Sequence, residues 1–293
     1  MAIFEREGIH VGPDGRRVGW LLRGPEGGRV VGWLHGQPGS RRDARAFDAS
    51  LERYGVSMLA IDRAGYGDTD PAGLDRRVVA GDLLAAADHL GVAELPVIGV
   101  SMGAVYALTL AALEPRRVTS VVLVSGHVLP YDDPEVEAHL SDAEREDLAM
   151  LRRGRPDELE ADYAASVERA SDVDGAVALL HELAATMSPR ERDLLHGPFA
   201  PSLAESIVHG FSGGHVGYLE DGMRTIRPLE VDLEDVRCPV RLLHGTADDL
   251  EPYANAERVA ARLADASLIA FPGLGHFGPW IWPDLPFAVL AGG

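Results

Sequence analysis

The chain has 293 residues, 46% hydrophobic and 25% charged, which fits a globular protein whose core is large enough to hold without staples. The formal net charge of −19 opposes binding to nucleic acid or to an anionic membrane. All 27 basic side chains are arginine, so a Ser–Lys dyad, a pyridoxal Schiff base and a Walker-type phosphate lysine are excluded; the single cysteine, Cys238, excludes an internal disulfide.

The opening stretch MAIFEREGIHV carries Glu5, Arg6 and Glu7 and lacks the apolar centre of a secretory signal. No apolar run is long enough to span a bilayer, so cytoplasmic residence is the expectation. Apolar runs at 30–34 (VVGWL) and 58–61 (MLAI) read as strands, leading into the turns HGQPGS and DRAGYGD. Val79, Leu83, Ala86, Ala87 and Leu90 share one helical face, with Gly91 as its C-cap. A strand follows at 95–100, a helix at 102–113 and a strand at 121–124. This alternation predicts βαβ units around a mostly parallel sheet with helices on both faces. Near-continuous apolar runs place the strands between two covered faces.

The rhythm then changes. Residues 127–227 show no strand pattern, and helices are expected at 135–150, 158–170, 175–186 and 203–211. Strands return at 240–243 and 267–271, with a helix near 254–263 between them. The expected organisation is an α/β core of residues 1–126 and 228–293, interrupted by a helical insert at 127–227.

Gly99-Val100-Ser101-Met102-Gly103 matches G-x-S-x-G between an expected strand and an expected helix. That context suits a nucleophile: small neighbours free the serine side chain, and the helix N-terminus aims N–H groups where negative charge develops. A second copy, at Gly210–Gly214, follows Leu203, Ile207, Val208 and Phe211 at helical spacing, so Ser212 reads as part of a glycine-rich helix exit. A serine nucleophile needs a base and an orienting carboxylate. His276 follows the last expected strand, and Asp248, with Asp249 as its rival, follows the strand at 240–243. The order Ser101, Asp248, His276 places each just past a strand end, where open α/β sheets hold ligands. The N–H groups of Gln37 and Met102 are the expected oxyanion donors. Gly36, His127 and Trp280 are expected to line a substrate pocket.

The set HGQPG, DRAGYGD, GVSMGA, HGTADD and GLGHFG resembles the α/β-hydrolase superfamily over most of the chain outside residues 127–227. Within it, HGQPGS with DRAGYGD is similar to esterase-like hydrolases related to proline iminopeptidases and epoxide hydrolases. The resemblance implies a cofactor-free enzyme with a Ser101–Asp248–His276 triad and a helical cap over the site. The chain departs from epoxide hydrolases, which use Asp as nucleophile, and from the HGGPG loop of iminopeptidases.

The expected activity is hydrolysis of an ester, lactone, thioester or amide of a small organic molecule. The expected partners are that substrate alone, with no nucleic acid and no membrane, and homo-oligomerisation is left open. A lyase or cyclase using the same serine and histidine is the rival chemistry, and a binding protein on the same scaffold is the rival class. An acyl adduct on Ser101 separates the first, and turnover of activated esters separates the second. Two further patterns are dismissed. Gly273–Gly278 matches G-x-G-x-x-G but lacks the following strand and acidic residue of a dinucleotide site. His181-Glu182 starts an H-E-x-x-H pattern that Ala185 breaks, so no metal site is expected.

Overall fold

The computed structural model describes residues 2–153 and 156–292. Eight strands form one sheet: β1 (Ile3–Val11), β2 (Arg17–Pro25), β3 (Arg29–Leu34), β4 (Val56–Ile61), β5 (Leu95–Val100), β6 (Val118–Val124), β7 (Val240–Gly245) and β8 (Ala266–Phe271), in the order β1-β2-β4-β3-β5-β6-β7-β8. β1 and β2 pair antiparallel with each other, and β2 pairs antiparallel with β4; the remaining pairs are parallel. The chain is thus an α/β fold with a mostly parallel sheet.

The apolar runs are continuous because the central strands bury side chains on both faces. Successive residues point to opposite sides. In β4, Leu59 and Ile61 enter one core, while Met58 and Ala60 enter the other. In β6 the same alternation sends Val121 and Leu123 one way, Val122 and Val124 the other. One face is covered by α2 (Arg76–His89) and α3 (Gly103–Leu113), which contribute Val79, Leu83, Tyr106 and Leu110. The other face packs Trp33, Phe47, Trp280 and Phe287 under α1 (Asp48–Tyr54) and the last helix. Each fully buried Leu, Ile or Phe in these layers stabilises the fold by ~1.5–3 kcal/mol.

Between β6 and β7 the described residues contain helices and no strand. They are α4 (Pro134–Glu137), α5 (Asp142–Arg152), α6 (Pro156–Arg169), α7 (Val173–Ala184), α8 (Pro189–Leu195), α9 (Phe199–Gly210) and α10 (Val216–Arg224). Two helices follow later, α11 (Tyr253–Arg262) and α12 (Leu285–Ala291). The helix expected over 135–150 is broken at Ser141. Its side chain caps α5 and forms a reciprocal capping box with Glu144, so the chain restarts there. α8, α10 and the β1–β2 hairpin lie outside the expected elements. No described helix is long and apolar enough to cross a membrane.

Candidate active site

The parallel strands deliver their following loops to one edge of the sheet. At that edge lies a cavity of about 340 Å³ lined by Gly36, Gln37, Ser101, Met102, His276 and Trp280 among others. Ser101 follows β5 directly and adopts φ +48°, a left-handed conformation that costs a non-glycine residue energy. Three backbone bonds hold it there: its N–H donates to Val124 O at 2.9 Å, and its carbonyl accepts from Ala104 N and His127 N, each at 3.0 Å. The flanking glycines let strand and helix approach. A Cβ on Gly99 would lie 2.7 Å from Gly103 O, and one on Gly103 would run into the Leu34 and His35 carbonyls. Neither the Gln37 nor the Met102 N–H has a hydrogen-bond partner among the described residues. A Cβ on Gly36 would stand 3.3 Å from Ser101 Cβ, so the loop after β3 lies against Ser101.

That loop is braced from behind. His35 is fully buried; its Nε2 accepts from Arg63 N at 3.0 Å, which leaves Nδ1 to donate to Gly36 O at 2.7 Å. Burial, then the Arg63 charge, pushes the His35 pKa down to about 3, so the ring is neutral and holds this tautomer. The Arg63 guanidinium donates to His35 O at 3.0 Å and Gly36 O at 2.8 Å, and its charge is balanced by Asp221 of α10. Asp221 also accepts from Tyr66, Tyr106 and Arg224 at 2.9, 2.6 and 2.9 Å.

His276 Nδ1 lies 3.0 and 3.2 Å from the Asp248 oxygens. Asp248 Oδ1 accepts from Leu250 N and Glu251 N at 3.1 and 2.9 Å, and His244 Nε2 stands 3.3 Å from Oδ2. Burial disfavours charge on Asp248, but His276 and His244 outweigh it and hold the carboxyl well below the usual range. Burial likewise disfavours a charged His276, yet Asp248, assisted by Glu251 and Glu144, pushes its pKa up to about 8. Asp249 makes no comparable contact with His276.

The structure therefore brings Ser101, Met102, Gly36, Gln37, His276 and Trp280 to one cavity, with Asp248 directly behind His276. His127 is a correction: it does not line the cavity. It is buried behind Tyr131, and its Nδ1 contacts Glu251 Oε1 at 2.9 Å, because the loop after β6 turns the ring inward to a carboxylate. Ser212 lies in a turn after α9, its hydroxyl donating to His209 O at 2.7 Å, away from the cavity. Asp62 is buried against Arg41 and accepts from Asp68 N, which makes DRAGYGD a structural turn.

Sequence reasoning missed several wall residues. Glu144, Asp147 and Glu251 place carboxylates on the cavity, and no arginine lines it among the described residues. Burial raises Glu144 to about 7. Tyr131 joins Glu251 and Glu144 at 2.8 and 3.2 Å. Burial raises Asp43 to about 6 although Ser206 and Trp33 donate to it. Only the capping pattern at Ser141–Glu144 carries a local signal for any of these; the others meet through tertiary folding.

A parallel sheet with a strained serine after one strand and a histidine–carboxylate pair after later ones defines a hydrolase-type enzyme. The family model described as alpha/beta hydrolase fold matches residues 33–281, and the chain belongs to that family. It is 28% identical over 281 residues to a non-heme chloroperoxidase of Streptomyces lividans, covering 90% of each chain. It is 32% identical over 137 residues to epoxide hydrolase 3 of Siraitia grosvenorii, a match that covers 45% of this chain and spans less than half of that relative, 43% of its length. Among solved structures, an esterase of Exiguobacterium antarcticum superposes with a TM-score of 0.73 at 19% identity, covering 97% of each chain.

Proposed function

We propose that the protein is a serine hydrolase that cleaves an ester, lactone, thioester or amide of a small organic substrate through an acyl-enzyme on Ser101. One observation carries the reading: Ser101, held in a left-handed conformation after β5, shares its cavity with His276, whose Nδ1 is bound to Asp248. With Nδ1–H donated to Asp248, Nε2 is the ring nitrogen left to take the Ser101 proton. Ser101 Oγ then bonds to the carbonyl carbon, and the oxygen takes the negative charge beside the Gln37 and Met102 N–H groups. Collapse breaks the bond to the leaving group, which takes the proton from His276. Water, deprotonated by His276, attacks the acyl carbon and releases the acid and free Ser101. Residues 127–227 act as a cap that supplies much of the pocket wall. Glu144, Asp147 and Glu251, without an arginine, favour neutral or cationic substrates over anionic ones.

The test is intact-mass analysis during turnover of p-nitrophenyl acetate. Acetylation on Ser101, lost in Ser101→Ala and kept in Ser212→Ala, is the expected result. Turnover without an adduct in rapid-quench samples favours direct attack by a His276-activated water over an acyl-enzyme, and no turnover across a panel of activated esters favours a lyase, a cyclase or a binding protein. Retained activity in Ser101→Ala overturns the assignment.

A further inference from the structure

The loop that carries His276 is held by a residue far from it in sequence. Glu191, in the first turn of α8, is 1% exposed. Its Oε2 accepts from Gly275 N at 2.9 Å and its Oε1 from Phe277 N at 3.0 Å, the two amides that flank His276. Ser188 Oγ donates to Oε2 at 2.6 Å and fixes the carboxylate from the other side. No cation pairs with Glu191 among the described residues. A buried carboxylate in that state is costly unless hydrogen bonds satisfy it, and here three donors do so. Gly275 fits the arrangement: a Cβ there would stand 3.1 Å from Glu191 Oε1, so the carboxylate would have to shift by a few tenths of an ångström. On the opposite side of the loop, Ser125 Oγ donates to the His276 carbonyl at 2.7 Å. The backbone N–H groups of the residues on both sides of His276, and the His276 carbonyl, are thus bonded, and the glutamate comes from the helical segment that walls the cavity.

We propose that Glu191 is a positioning residue for the reaction: by accepting both amides that flank His276, it fixes the imidazole between Asp248 and Ser101. The helical insert is then part of the catalytic apparatus as well as a wall. This rests on the reading of His276 as the base for Ser101.

Glu191→Gln keeps the shape but offers one acceptor oxygen and a donor NH₂, so one of the two amides loses its partner. Glu191→Ala removes both contacts. Misplacing a catalytic group by ~1 Å costs up to ~100-fold in rate. The expected loss in kcat is therefore about 10-fold for Glu191→Gln and about 100-fold for Glu191→Ala, with KM within about twofold, since Glu191 does not line the cavity. Ser188→Ala leaves the carboxylate but frees its rotamer, and should cost about threefold in kcat; it serves if the Glu191 variants do not fold. Rates are referred to the active fraction titrated with a fluorophosphonate. In parallel, proton NMR follows the low-field His276 Nδ1–H signal, which should broaden or vanish in Glu191→Gln and persist in Ser101→Ala. Unchanged kcat and an unchanged low-field signal, with only a lowered melting temperature, overturn the proposal. If Ser101→Ala keeps full activity while Glu191→Gln still broadens the signal, the clamp stands and the serine reading falls.

Discussion

Replacing Asp248 by Asn separates two contributions of that carboxylate. In the native site, burial lowers the His276 pKa and Asp248, 3.0 Å away, raises it; the net value is about 8 against an ordinary 6.5. That difference corresponds to about 2 kcal/mol in favour of the imidazolium. The sign for stability follows: the pair's contribution is fully present below pH 6.5 and is lost as pH rises through about 8. The sign for activity is opposite, because the base must be neutral; kcat/KM rises with pH, with a midpoint near 8. In Asp248→Asn, burial acts without its main opponent, and the midpoint falls below 6.5. More than about three-quarters of His276 is then neutral at pH 7, against about one-tenth in the native enzyme. If supply of neutral base limited the rate, the variant would be faster at neutral pH. Instead the amide disfavours the needed tautomer and leaves the imidazolium uncompensated, so kcat should fall about 10⁴-fold. The measurement is kcat/KM for p-nitrophenyl acetate from about pH 5 to about pH 10. A midpoint that stays near 8, or a loss under about tenfold at the plateau, would refute the assignment of Asp248 as the orienting carboxylate.

Arg63→Met leaves Asp221 paired with Arg224 but removes one of the two donors, Arg63 and His35, that hold the Gly36 carbonyl, whose peptide plane carries the Gln37 N–H; kcat/KM should fall about 10-fold, and inhibition by a trifluoromethyl ketone should weaken in parallel. Gly103→Ala drives a methyl into the Leu34 and His35 carbonyls and should destabilise by about 3 kcal/mol, read by urea unfolding. Glu144 is raised to about 7, so the native state holds its proton more tightly than the unfolded chain and this group's contribution to stability falls as pH rises from 4.5 through about 7. Glu144→Gln should remove that part of the slope, giving a smaller drop in melting temperature between pH 4.5 and pH 7 than the native protein shows.

The α/β frame was legible because β3, β4, β5, β6 and β7 are buried on both faces and read as apolar runs. β1 was hidden for the opposite reason: Ile3–Val11 is an edge strand with Glu5, Arg6 and Glu7 in its middle, and its pairing with β2 is not encoded in hydropathy. Ser101 stood out because an elbow constrains its own neighbours, Gly99 and Gly103, at fixed spacing. Asp248 and His276 were readable from strand order, since loops after parallel strands gather at one edge. His127 followed the same rule but turns to Glu251, a contact that strand order does not specify. α8 carries a capping pattern, Ser188 to Glu191, within a helix too short for periodicity to register. The meeting of Glu191 with Gly275 and Phe277, across more than 80 residues, leaves no local trace beyond the glycine.

β6 and β7 pair directly, Val121 opposite Val240, so the sheet closes whatever chain is looped out between them. Such a site invites exchange of the looped-out segment during divergence. Asp221 and Glu191 restrict that freedom, because both belong to the segment yet satisfy buried donors on the α/β frame. A transplanted segment lacking them would strand the Arg63 guanidinium and two amides beside His276. Changes to the cavity are therefore least disruptive at α7, which gives it Leu180 and Leu183 and makes no polar contact with the loops that carry Ser101, Asp248 and His276 among the described residues. The segment is thus tethered to the frame at Asp221 and Glu191, and substitutions at Leu180 and Leu183 leave both tethers intact.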